Sequence, residues 1–131
     1  LDRIDLHVEV TPVSTDALME NTKSSETSEL IRKRVLIARE RQEERYKEIN
    51  DLHSNAQISS SMVKDICQIN QAGATLLKTA MQKLQLSARA YDRILKVSRT
   101  IADLADSDEI KIEHLAEAIH FRSLDRESWA G

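Results

Sequence analysis

Residues 87–105 read Ser-Ala-Arg-Ala-Tyr-Asp-Arg-Ile-Leu-Lys-Val-Ser-Arg-Thr-Ile-Ala-Asp-Leu-Ala and decide the fold class of this chain. Apolar side chains recur here every three or four positions, which is the spacing that gives a helix one apolar face. Ser87 is a residue type that caps the first turn of a helix. The inward face is predicted to consist of Tyr91, Ile94, Leu95, Ser98, Ile101, Ala102 and Ala105. The stretch therefore predicts an amphipathic helix over 88–105 that packs against other helices.

The composition of the whole chain favours the same class. Its 131 residues include two glycines and one proline, with 3% aromatic and 31% charged residues. Turn formers and strand formers are scarce, whereas Ala, Leu, Glu, Arg and Lys are good helix formers. We expect an all-α fold, a small bundle of four to five helices.

Four further helices are predicted around residues 88–105. They span 26–49, 60–67, 70–83 and 111–121. The inward stripe of the first is predicted to be Ile31, Val35, Ala38, Gln42, Tyr46 and Ile49, and that of the last Ile112, Leu115, Ala116 and Ile119. We expect residues 26–50 to form a linker helix and residues 51–131 a C-terminal helical domain.

The N-terminal segment has a different pattern. Residues 3–10 alternate between apolar and polar side chains, which is typical of a strand, and Pro12 ends the alternation. The rest of the chain predicts no partner strand, so we expect the sheet to lie in a preceding part of a larger protein. An unpaired strand leaves its backbone groups unsatisfied, and residues 1 to about 24 are therefore expected to be disordered within domain 1–25.

Charge and cysteine usage exclude several classes of protein. The formal net charge is −3, and the basic residues of 87–105 lie between two acidic ends, unlike the charge distribution of a free-standing nucleic-acid binder. Cys67 is alone, which rules out an internal disulfide and fits a reducing, cytoplasmic compartment. The four histidines lack metal-ligand spacing, so no metal site is expected. No apolar run is long enough for a membrane span.

Arginine side chains are the remaining candidates for chemistry. Arg89 lies in the first turn after Ser87, where the helix N-terminus and a guanidinium would both attract a phosphate. Arg93, Lys96 and Arg99 extend a basic stripe along the same helix. The alternatives are a DNA-binding face, a protein-interaction face, or a solvated surface partly neutralised by Asp92 and Asp103. Arg3 could reach a phosphate on a neighbouring subunit or form an ordinary ion pair with Asp2 or Asp5.

Longer stretches carry a resemblance to a known family. Residues 1–10 (Leu-Asp-Arg-Ile-Asp-Leu-His-Val-Glu-Val), 31–42, 86–104 and 114–126 look like the magnesium-chelatase-like AAA+ ATPases, in the branch that includes a bacterial competence protein. The resemblance implies that 1–10 is the last strand of an ATPase core, that 26–49 leads out of that core, and that the remaining helices form its C-terminal lid. It further implies that Arg3 is the arginine finger acting in trans and that Arg89 is the sensor-2 arginine.

The resemblance also implies cofactors and partners. ATP and Mg²⁺ are expected in the full-length parent, whose phosphate loop and magnesium-binding acidic motif would precede Leu1, and none is expected for this chain alone. Alone, the chain should catalyse nothing. The implied partners are the preceding ATPase core, neighbouring subunits of a ring, expected to be a hexamer, and DNA, with no membrane.

Overall fold

A computed structural model of the protein describes residues 6–8 and 26–130, with side chains described as far as Arg122. The described part contains five α-helices and one 3₁₀ turn, and no strand. The helices are α1 (Ser28–Tyr46), α2 (Ser60–Ile66), α3 (Gln71–Leu84), α4 (Ala88–Leu104) and α5 (Ile112–Ala130), and the 3₁₀ turn is Asn55–Gln57. The predicted all-α class and number of helices are confirmed.

The helices begin where polar side chains cap them. Thr27, Asn70 and Ser87 each accept a hydrogen bond from the third backbone N–H of the helix that follows, at 3.2, 2.8 and 3.2 Å. These bonds satisfy donors that have no partner inside a helix. Four predicted helices agree with the structure to within three residues at each end. The fifth continues to Ala130 instead of ending near residue 121.

α4 is the central element of the bundle. It packs against α1, α2, α5 and the 3₁₀ turn, while α5 also packs against α3. Its buried apolar residues are Ala90, Ile94, Leu95 and Ala102, and the core around them includes Tyr46, Ile58, Val63, Cys67, Leu77, Ile110, Leu115 and Ala118. α4 is thus the helix against which most of the other elements pack.

The start of α3 approaches α5 closely at a glycine. A Cβ atom on Gly73 would lie 2.7 Å from the Cδ1 atom of Leu115, a fully buried side chain. Beside this contact, Ile69 and Ile110 form an isolated parallel bridge between the loops that precede α3 and α5. The absence of a side chain at Gly73 therefore allows the two helices to meet.

Several predicted inward residues are on the surface. Tyr91 is 38% exposed, and Ala105, Ile112 and Ala116 are also exposed. In α1 the inward stripe is buried only at Ala38, Gln42 and Tyr46, whereas Ile31, Val35 and Ile49 are exposed. The reason is geometric, because the first half of α1 extends past the helices on which its second half packs.

The N-terminal predictions fall mostly outside the described residues. Of the predicted strand over 3–10, only residues 6–8 are described, and they have no regular secondary structure. The N–H group of His7 donates a 3.0 Å hydrogen bond to the carbonyl oxygen of Phe121 on α5. The strand, the expected disorder of 1–24 and the domain boundaries stay predictions.

Candidate anion-binding groove

A groove of about 600 Å³ runs along α4 from its N-terminal turn, bordered by α5, the N-terminus of α2 and Leu6. Its apolar lining consists of Leu6, Ala56, Val97, Ile101, Leu104 and Phe121. Its charged lining consists of Arg89, Arg93, Lys96, Asp92 and Glu117. The groove therefore combines an apolar surface with three cations and two carboxylates.

Three of the predicted basic residues lie in this groove. Arg89 is exposed in the first turn of α4, and Arg93 and Lys96 follow it at half-buried positions. The hydroxyl of Ser87 accepts from the N–H of Ala90, so this serine holds the turn that presents Arg89. An exposed guanidinium beside a helix N-terminus suits an anion, because both carry positive charge and N–H donors.

The carboxylate of Asp92 fixes one wall of the groove. It accepts a 2.6 Å hydrogen bond from the hydroxyl of Ser60, the first residue of α2. This bond joins α2 to α4 three residues beyond Arg89. The wall opposite α5 is thus held by a polar contact rather than by packing alone.

Arg99 does not belong to this groove, which corrects the prediction of a continuous surface stripe. It is 4% exposed, and its guanidinium donates to the carbonyl oxygens of Ser107 and Asp108 at 2.8 and 3.0 Å. Burial lowers the pKa of Arg99 from its usual value, and the Asp103 carboxylate 3.2 Å away opposes that shift. Arg99 therefore holds the loop after α4 in place.

Sequence reasoning missed a buried polar cluster. It treated Asp103 as a counter-charge on a solvated face, but Asp103 is fully buried. The Arg45 guanidinium donates to both carboxylate oxygens of Asp103, at 2.8 and 3.0 Å, and this bonding raises the pKa of Arg45. The Asn55 amide donates to Asp103 at 2.9 Å and its oxygen accepts from the Tyr46 hydroxyl at 2.6 Å. The cluster thus joins α1, the 3₁₀ turn and α4.

A signal for this cluster exists in the sequence. Asp103 follows Ala102 and lies four residues after Arg99, so it borders the apolar face of α4 instead of lying opposite it. Its main partner, Arg45, is 58 residues away in the chain, and no local pattern pairs them.

Arg3, the predicted arginine finger, lies outside the described residues. Among the residues that are described, no three His, Cys, Asp or Glu side chains are grouped so that they could hold a metal ion. Within the same part of the chain, none of the helices has the length and apolar character that a membrane span requires.

The fold and groove define a class: a small helical domain with a cationic groove along its central helix. The family "Magnesium chelatase, subunit ChlI C-terminal" matches residues 25–122, and the chain belongs to that family. The chain is 44% identical over 126 residues to the Competence protein ComM of Haemophilus influenzae. It is 39% identical to the uncharacterized protein YifB of Escherichia coli and 36% identical to that of Salmonella typhimurium, again over 126 residues.

These matches cover most of this chain but only part of each relative. They include 96% of the chain and 24% of the length of each of these three relatives. The chain therefore corresponds to about a quarter of the relatives that it matches.

Proposed function

We propose that this chain is the C-terminal lid of a magnesium-chelatase-like AAA+ ATPase and that Arg89 contacts the γ-phosphate of bound ATP. The observation that carries the proposal is the exposed Arg89 in the first turn of α4, at the mouth of the groove it shares with Arg93 and Lys96. A guanidinium can bind two phosphate oxygens at once, and the helix N-terminus adds to the positive potential.

A phosphate contact at Arg89 could change the position of other helices, because α4 is bonded to them near its other end. Its first turn carries Arg89, while near its C-terminal end Asp103 is bonded to Arg45 of α1 and to Asn55. Because these bonds join α4 to α1 and to the 3₁₀ turn, a displacement of Arg89 is expected to be transmitted to both. Loss of the γ-phosphate on hydrolysis would then release the lid.

The remaining parts of the catalytic site belong to the parent in this proposal. Arg3 reaches the nucleotide of the adjacent subunit in a ring, where it neutralises charge that develops during phosphoryl transfer. ATP supplies the phosphate that Arg89 and Arg3 bind. In nucleotide sites Mg²⁺ is usually bound by one or two carboxylates together with the substrate phosphates, and we assign those carboxylates to the preceding core. The chain alone hydrolyses nothing.

DNA is the second proposed ligand of the parent. Arg93 and Lys96 are one turn apart on the same groove wall and can contact successive phosphates of a strand. Arg99 is buried and therefore offers no accessible positive charge to DNA at this surface. Two phosphate contacts give a weak site, whose logarithmic affinity for DNA should fall with the logarithm of the salt concentration with a shallow slope of about −2.

The test uses the full-length parent. Arg89→Ala is expected to lower kcat for ATP hydrolysis by at least tenfold, whereas Lys78→Ala, at an exposed lysine of α3, should leave kcat within twofold. Arg3→Ala subunits should be inactive alone, and mixing them with subunits that cannot bind ATP should restore hydrolysis at sites that receive an intact Arg3. Unchanged hydrolysis in Arg89→Ala would contradict the assignment of the γ-phosphate contact.

A further inference from the structure

Two carboxylates line the groove among its three cations. Asp92 is a half-buried residue of α4, and Glu117 is exposed on α5. Arg89 lies three residues before Asp92, and Lys96 lies four residues after it. Residues at these spacings are neighbours on one helix face, with about 5–6 Å between their Cβ atoms. The Asp92 carboxylate therefore lies between two of the cations that an anion in the groove would contact.

The hydroxyl of Ser60 holds this carboxylate in place. It donates a 2.6 Å hydrogen bond to Oδ2 of Asp92 from the first residue of α2. The other charged residues of α2 are Lys64 and Asp65, which have opposite signs and do not line the groove. The bond to Ser60 therefore fixes a negative charge on the wall of the groove, beside the cations of α4.

An anion that binds at Arg89 must compete with a carboxylate that is already present. The cations attract a phosphate, whereas the nearby Asp92 carboxylate repels it. Three cations and two carboxylates leave an excess of one positive charge in the groove. Weak binding suits a nucleotide site, because the products must leave before the next ATP binds and their release limits kcat in many enzymes.

We propose that Asp92 sets the anion affinity of the groove, as a competing negative charge that keeps the binding of a phosphate at Arg89 weak and reversible. The inference deepens the proposed function and rests on it in taking a phosphate as the ligand of Arg89. Asp92 acts on that ligand through the charges of Arg89 and Lys96, so it determines affinity without being a catalytic residue. Loss of its charge should therefore strengthen binding, whereas loss of a purely structural residue would weaken it.

The test is an NMR titration of the isotope-labelled chain with sodium tripolyphosphate at low salt, which measures anion binding without a nucleoside. Asp92→Asn removes the charge but keeps an oxygen that can accept from the Ser60 hydroxyl. We expect this variant to bind tripolyphosphate about fivefold more tightly than the wild-type chain, as measured from the backbone amides of residues 87–96. The control is Asp65→Asn, the same chemical change at an exposed position of α2 that does not line the groove. Its affinity should stay within about twofold of the wild-type value.

Ser60→Ala should have the opposite effect to Asp92→Asn. Without its hydroxyl partner, the Asp92 carboxylate is free to turn towards Arg89 or Lys96, each one turn away on α4. We therefore expect the affinity for tripolyphosphate to fall by about twofold. In the same titration, a rise in Ser60→Ala equal to that in Asp92→Asn would mean that the hydrogen bond, and not the charge, limits binding, which would overturn the proposal.

Three further outcomes decide the matter. Unchanged affinity in Asp92→Asn, or no binding in either the wild-type chain or that variant, would overturn the proposal, and so would an equal rise in Asp65→Asn. If Asp92→Asn has no effect while Arg89→Ala still lowers kcat in the parent, the inference fails and the proposed function stands. If Asp92→Asn tightens binding while Arg89→Ala leaves kcat unchanged, the inference stands and the γ-phosphate assignment fails.

Discussion

Asp103 and Arg45 form a bidentate ion pair that joins α4 to α1, with N–O distances of 2.8 and 3.0 Å. Asp103 is fully buried and also lies 3.2 Å from Arg99, so one carboxylate faces two guanidinium groups. Buried charges are retained only when they are paired and hydrogen-bonded. This pair therefore fixes how α1 sits on the bundle.

Removal of the Asp103 charge should destabilise the fold. In Asp103→Asn the guanidinium groups of Arg45 and Arg99 lose their shared counter-charge, and Arg99 remains buried beside a neutral amide. We expect the free energy of unfolding to fall by about 3 kcal/mol. Urea unfolding followed by circular dichroism measures this change.

Asp106→Asn is the matched control. Asp106 accepts a 2.8 Å hydrogen bond from Arg41 but is exposed, and its positive φ of 56° is one that Asn adopts readily. Its substitution should change the free energy of unfolding by less than about 1 kcal/mol. Equal losses of unfolding free energy in the two variants would show that the buried ion pair of Asp103 contributes no more to stability than the exposed one of Asp106.

Gly73→Ala should also destabilise the protein, although alanine is the better helix former. The added Cβ would lie 2.7 Å from Cδ1 of the buried Leu115, and overpacking of this kind costs roughly 1–3 kcal/mol. The gain in helix propensity is about 1 kcal/mol. We expect a net loss, which should disappear when Gly73→Ala is made on a Leu115→Ala background. An equal loss on both backgrounds would show that the contact is not the cause.

Because of Cys67, the free energy of unfolding should decrease at alkaline pH. Burial raises the pKa of its thiol to about 11, from 9.0 for an unperturbed thiol. The unfolded chain therefore ionises first, and the stabilisation from Cys67 is complete below about pH 9 and is lost as pH rises towards 11. Between pH 8 and 10.5, the wild-type chain should lose on the order of 1–2 kcal/mol more than Cys67→Ala. Parallel pH dependence in the two proteins would contradict this account.

Arg99 and Lys96 should behave differently even though both belong to the predicted basic stripe. Arg99→Ala leaves the carbonyl groups of Ser107 and Asp108 without their donor and should lower stability by about 2 kcal/mol. Lys96→Ala should change stability by less than about 0.5 kcal/mol. In turn, Lys96→Ala should reduce any binding of DNA at low salt, as followed by fluorescence anisotropy. A loss of stability in Lys96→Ala comparable to that of Arg99→Ala would mean that Lys96 is structural.

The sequence predicted the helices well because their signals are local. Ser87 caps α4, and the three- and four-residue spacing of Ile94, Leu95 and Ala102 locates its buried face. The groove could be predicted in part, since Arg89, Arg93 and Lys96 share one helix face whatever packs beside it.

The errors concern residues whose environment is set by distant parts of the chain. Arg99 and Asp103 were placed on the surface, but Arg45, Asn55 and the loop after α4 enclose them. Conversely, Val35 has the spacing of a buried residue and is exposed, because the bundle ends before it. Helical periodicity identifies the apolar face of a helix but does not show how far along the helix that face is covered.

The most direct test of the lid assignment is an NMR titration of the isotope-labelled 131-residue chain with Mg-ATP and, separately, with a short DNA duplex. We expect weak chemical-shift changes with Mg-ATP that centre on Ser87 and Arg89 and are absent in Arg89→Ala. Lys78→Ala, a variant at an exposed lysine of α3, should retain those changes. No change at the N-terminus of α4 with Mg-ATP, together with salt-sensitive changes at Arg93 and Lys96 with DNA, would contradict the account and make the groove a DNA-binding site.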